Sequence, residues 1–157
     1  MKIVDLIARQ LLEAHFGENW TEVWIRKTLE DVTLDEALRT TSASANTIAS
    51  LLYHITFYNK VILARLQGVN PPVGEANGFD LPALQDLEAW ERLKADNLES
   101  AQVLADAIRK VPDEMLDKPM LQEETSSTYF RQLQGITEHA HYHLGQIVIL
   151  KNLIRNN

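Results

Sequence analysis

The chain contains no cysteine. That excludes disulfides, thiolate-ligated metal sites and a thiol nucleophile supplied by the protein itself. Glycine and proline are scarce, at 6 and 5 of 157 residues, so the composition is neither collagen-like nor low-complexity. Positive charge is not in excess, because 15 Lys and Arg face 22 Asp and Glu for a net charge of −7. A phosphate-backbone binder needs a basic stripe, so nucleic acid is not expected as a partner. No apolar run approaches the ~20 residues of a membrane span. The first ten residues, Met1 to Gln10, interrupt their apolar run with Asp5 and Arg9, and therefore read as an amphipathic helix rather than a secretory leader. These exclusions predict a single domain over residues 1–157, a cytoplasmic location and no membrane partner.

What the chain does have is helical periodicity, with no stretch alternating as a strand would. Leu6, Ile7, Leu11 and Leu12 mark a first helix. Gly17 and Asn19 suggest a break or kink, after which Trp20, Val23, Trp24, Lys27 and Thr28 resume helical spacing to about Asp31. Thr33 and Glu36 have the capping-box spacing of a short turn. Residues 40–46 form a small polar loop with Asn46 as the expected N-cap. A second helix, from about Thr47 to Gln67, lines one face with Ile48, Leu51, Leu52, Ile55, Tyr58, Ile62 and Leu66, and Gly68 supplies its stop. Residues 69–82 carry three of the five prolines and two glycines, making the longest irregular connection. A third helix, from about Leu84 to Lys110, stops at Pro112. After a capped turn and a polar loop, Thr125-Ser126-Ser127, the fourth spans roughly Thr128 to Arg155. The expected fold class is therefore all-α, a four-helix bundle. The long crossover between helices two and three would let them run parallel, giving an up-down-down-up course. Trp24 and Trp90 suit either an interface or the core.

Three of the five histidines fall within residues 139–143. His139 and His143 are four apart and share a helix face, whereas His141 points nearly the opposite way. The pair interrupts the stripe Ile136, His139, His143, Ile147, Leu150, Ile154, where periodicity calls for apolar residues. A metal-ligating pair, a hydrogen-bonded core pair and a mis-phased face all fit that pattern. His54, in the most apolar part of the second helix, offers a third imidazole from a facing helix. Three neutral imidazoles would leave zinc or nickel with open positions, as catalytic sites do. A zinc protease needs Glu directly after the first histidine, and Ala140 stands there instead. A di-iron carboxylate site needs two Glu-x-x-His motifs, and only Glu138 to His141 supplies one. His15, beside Gly17, is expected to face solvent or cap a helix end, and neither it nor His141 is expected to bind metal. Gln146, three residues past His143, suits a group that holds that ring or orients a substrate, or else a buried amide bonded to another helix. Tyr58, one turn beyond His54, suits the pocket wall or the core.

The segment His139-Ala-His-Tyr-His143-Leu-Gly145-Gln146-Ile147 resembles the H-x-x-x-H-x-G-Q-I signature of the DinB-like superfamily. Asn46 to Ile55, an apolar run closed by His54, resembles that family's helix-two signature. Trp20 after Gly17, and Asn77-Gly78-Phe79, are similar to features of one bacterial branch. The resemblance implies a four-helix bundle, up-down-down-up, with zinc or nickel held by histidines at the positions of His54, His139 and His143. It also implies a homodimer. Some relatives transfer or isomerise with low-molecular-weight thiols, so the partners it implies are a small thiol and an electrophile. The competing expectation is a non-catalytic, stress-related protein whose metal only clamps helices two and four.

Overall fold

The computed structural model describes residues 2–122 and 127–156. Six α-helices and one 3₁₀ turn make up the described chain, with no strand among the described residues. In order they are α1 (Ile3–Phe16), α2 (Ile25–Leu29), α3 (Leu34–Leu38), α4 (Ile48–Leu66), α5 (Leu87–Ile108), the 3₁₀ turn Asp113–Met115, and α6 (Tyr129–Asn156). The four long helices are α1, α4, α5 and α6. Helix α5 packs against α1 and α4, and α6 packs against the same two. The all-α bundle expected from periodicity is what forms.

Several boundaries differ from expectation, each for a local reason. The first helix does not resume at Trp20: it ends at Phe16, and α2 starts only at Ile25. Gly17, Glu18 and Glu22 all have positive φ (136°, 68° and 56°), which no α-helix accommodates. The Asn19 amide bridges the two sides of that loop by donating to the carbonyls of Glu13 and Val23. Thr33 and Glu36 do form a reciprocal capping box, on α3. The cap of α4 is Thr47 rather than Asn46, because Thr47 Oγ1 accepts from the Ser50 amide while Ser50 Oγ accepts from the Thr47 amide. Helix α5 begins at Leu87, three residues later than expected, where Asp86 caps the Ala89 amide. Thr125 and Ser126 of the expected polar loop lie outside the described residues. Asp113 accepts from the Ile3 and Val4 amides, so the turn after α5 caps the start of α1.

The core falls into two apolar clusters. One gathers Leu51, Leu52, Ile55, Trp90, Leu144 and Ile147 with α2 and α3. The other gathers Val4, Leu11, Ile62, Leu104, Ile108 and Leu133. Trp90 is fully buried, its indole N–H donating to the Val32 carbonyl at 2.8 Å, so it is core and not interface. Trp24 is half-buried beneath Lys27 and beside Gly17. Along α4, α5 and α6 the passage from one cluster to the other is occupied by buried polar side chains. These are Thr56 and Asn59, Asn97 and Ser100, and Thr137 respectively. The bundle therefore has a polar belt between two greasy ends; His139 lies beside it on α6, while His54 and His143 are set among residues of the first cluster.

Candidate metal centre

His54 comes from the middle of α4, and His139 and His143 from successive turns of α6. Their i, i+4 spacing stacks the last two on the α6 face that meets α4. One nitrogen of each ring can be chosen so that all three lie within 4.8 Å of one another, with His54 and His143 buried and His139 half-buried. His54 Nε2 and His139 Nε2 are 2.9 Å apart. The ring of His54 stands 4.8 Å from that of His139 and 4.7 Å from that of His143, centroid to centroid.

The outer nitrogens fix the tautomers. His54 Nδ1–H donates to the Asn77 carbonyl oxygen at 2.8 Å, since a carbonyl can only accept. His143 Nδ1–H donates to Gln146 Oε1 at 2.6 Å, and the Gln146 amide in turn donates to the Tyr142 hydroxyl at 3.3 Å. Both rings therefore keep Nε2 as a lone pair. His139 Nδ1 is buried with no hydrogen-bond partner among the described residues. Its Nε2 faces the His54 Nε2 lone pair at 2.9 Å, so without an ion between them His139 Nε2–H donates to His54. Two lone pairs oriented by outer hydrogen bonds, with a third imidazole beside them, is a donor set that suits a divalent cation.

Electrostatics keep these rings neutral. Burial pushes the His54 pKa down to about 4, with His143 adding to the shift and the Asn77 carbonyl opposing it. His139 falls to about 3, first through burial and then through His143 and His54. Burial also lowers His143, against the Gln146 hydrogen bond. Neutral imidazole is the form that ligates metal, so the site needs no deprotonation near pH 7.

Tyr58 packs its ring 5.0 Å from His54 and 4.9 Å from His139, and its hydroxyl donates to Asn77 Oδ1. Phe79 stacks on His54 at 3.9 Å with the planes only 11° apart. Sequence reasoning gave Asn77 and Phe79 no chemical role. Their signal was the Asn-Gly pair, a turn dipeptide suited to positive φ. Asn77 adopts φ 50° and Gly78 φ 73°. A Cβ on Gly78 would come within 2.5 Å of the Phe57 ring, so the backbone lies flat on α4 only with glycine there.

The other two histidines stand apart from the cluster. His141 bonds the Thr137 carbonyl at 3.1 Å. His15 corrects an expectation: it neither faces solvent nor caps a helix. It is fully buried, with Nδ1–H donating to the Leu11 carbonyl at 2.8 Å, because α1 turns it inward with Leu11 and Ala8. A larger cavity, about 660 Å³ between α2 and α5, is lined by Trp24, Lys27 and Lys94 and touches none of the three clustered histidines.

A fold that is helical throughout its regular elements, among the described residues, with three histidines converging between α4 and α6, is one whose core could hold a metal ion. The chain belongs to the DinB superfamily, whose family model matches residues 10–147. No curated protein and no solved structure matches it. No helix among the described residues is long and apolar enough to cross a membrane.

Proposed function

We propose that His54, His139 and His143 hold a divalent ion, zinc or nickel, and that the protein uses it on a small thiol brought in as substrate, for transfer to an electrophile. The observation that carries the reading is the convergence of three neutral imidazoles, two with their tautomers set from outside. A bound ion would supply Lewis acidity that favours a thiolate near neutral pH. The protein's own groups do the rest. Asn77 and Gln146 hold the rings, Phe79 keeps water off one face of His54, and Tyr58 walls the approach. With no cysteine in the chain, the sulfur must come from the substrate.

The up-down-down-up course belongs to the same proposal. Asn97 to Thr56 and Asn59 to Ser100 share one offset of 41 residues, as parallel α4 and α5 would give. The pairs His54 with His139 and Arg65 with Gln132 run in opposite order, as antiparallel α4 and α6 would give. A homodimer is also proposed, with Trp20, 99% exposed, and Tyr142 on the face it would use.

Elemental analysis of purified protein beside a His54→Ala/His143→Ala double variant tests the metal. About one ion per chain is expected in the first and none in the second, and equal content overturns the triad. Titrating 2-mercaptoethanol into cobalt-substituted protein tests the chemistry, through a sulfur-to-metal absorption band. If chelation melts the fold and no such band appears, the metal is a clamp between helices and not a catalyst.

A further inference from the structure

A second cavity, about 250 Å³, opens between α4 and α6 beside the triad. Its walls include Tyr58 and His139 towards the histidines, and Arg65 and Arg131 farther along. Seven residues separate Tyr58 from Arg65 and eight separate Arg131 from His139, so the basic end lies roughly 10–12 Å of helix from the triad. The volume falls below the ~300–1,000 Å³ of sites for drug-sized molecules, which suits a short ligand.

Among the described residues, no carboxylate pairs with the charges in this cleft. Five of the eight arginines, Arg9, Arg39, Arg92, Arg109 and Arg155, pair with carboxylates. Arg26 lies over the Phe16 ring. The two that remain are Arg65 and Arg131, and both line this cavity. Arg65 is held by neutral acceptors, Asn70 Oδ1 at 3.2 Å and Gln132 Oε1 at 3.0 Å, which aim the guanidinium without neutralising it. The Arg131 guanidinium has no carboxylate partner among the described residues. In a chain of net charge −7, two guanidinium groups beside one cleft with no carboxylate partner among the described residues are the donors an anion would need. Gly135 lines the same cavity, one turn before His139, and a Cβ there would meet nothing within 4 Å. Glycine inside a helix is destabilising against alanine. Here it leaves open the room a ligand would fill.

We propose that the α4–α6 cleft binds the carboxylate end of a short anionic substrate through Arg65 and Arg131, and so presents its other end to the triad. This rests on the metal reading for the reacting end only; the carboxylate site stands on the cleft and its arginines.

The test uses two thiols of equal length, 6-mercaptohexanoate and 6-mercaptohexanol, titrated into cobalt-substituted protein and followed by absorption. The carboxylate probe is expected to bind at least about tenfold more tightly, an advantage that added salt shrinks. Arg65→Gln/Arg131→Gln should erase the difference. Equal affinities in the native protein, or a difference that survives the double variant, overturn the proposal. A second arm needs no metal: hexanoate added to the metal-free protein should shift the backbone amide NMR signals of Gln132 and Ile136, which line the cavity and are kept in every variant. It should not do so in the double variant or in Gly135→Leu, whose side chain fills the cleft. Failure to take up cobalt with the hexanoate shifts intact would sink the metal reading and leave this one standing. Absent shifts would sink this one.

Discussion

Two polar seams cross the same bundle, and they are built to different ends. Between α4 and α5, the Asn97 amide donates to Thr56 Oγ1, Thr56 to the Leu52 carbonyl, the Asn59 amide to Ser100 Oγ, and Ser100 to the Asn97 carbonyl. Each chain of donors ends on a backbone oxygen, so every side-chain donor of the seam is satisfied across or along the two helices. The Asn59 and Asn97 Oδ1 atoms are buried without a partner among the described residues. Between α4 and α6 the order is reversed. The ring donors of His54 and His143 point outward, to Asn77 and Gln146, and lone pairs are left facing inward. A seam whose donors bridge two helices locks them together, while one that brings three imidazoles together with lone pairs inward invites a cation. Burial alone does not tell the two apart; the direction of the hydrogen bonds does.

Substitutions can break that contrast from either side. The largest effect is expected from His139→Ala, which removes an inward donor: zinc affinity should fall by more than the ~10–100-fold that an outer-sphere change typically costs. Asn97→Ala should leave metal content unchanged and lower stability by about 1–3 kcal/mol, read from urea unfolding. If Asn97→Ala also emptied the site, the two seams would not be separate devices.

His15 sharpens the comparison, being a buried histidine outside both seams. Burial holds its pKa near 4 against an ordinary 6.5; the Leu11 carbonyl opposes that shift and His141 adds to it. The folded state keeps the ring neutral where the unfolded chain would protonate it. Stability is therefore untouched above pH 6.5 and falls as pH drops through about 4, by up to roughly 3 kcal/mol. In the metal-free protein, His15→Leu should flatten that part of the acid curve, measured as urea midpoints at pH 7 and pH 4.5. A curve as steep as the parent's would mean the ring is not neutral in the fold.

The last of the four concerns Gln146, the outward partner of His143. Gln146→Leu keeps the bulk and removes the acceptor, freeing the tautomer. Zinc affinity should drop about 10–100-fold by competition with a chromophoric chelator. No change would show that α6 alone orients the ring.

How far the sequence announced this arrangement depends on the range of the interaction. The four long helices were legible because each carries its own apolar stripe, and the Thr33–Glu36 box because both halves lie in one turn. His139 and His143 announced themselves by spacing alone. The loop from Gly17 to Trp24 misled, because helical spacing of Trp20, Val23 and Trp24 coexists with three residues of positive φ. His15 misled because proximity to a glycine says nothing about which way α1 faces. The role of Asn77 was hidden for a different reason: its backbone oxygen does the work, and any residue has one. Nor could spacing show that Arg65 and Arg131 meet, since 66 positions and two helices separate them.

The crossover between α4 and α5 therefore behaves like two lengths of rope joined by a knot. Asn77, Gly78 and Phe79 are the knot, tied to His54, Tyr58 and Phe57. Around it the chain at residues 72–76 and 82–83 is exposed. Doubling the length of a flexible connection costs only about 0.6 kcal/mol. Insertions can thus accumulate on either side of the knot and leave the histidines undisturbed, while a single residue added inside it would let go of His54. In this fold, tolerance of added length and fixity of the histidine centre are separated by three residues.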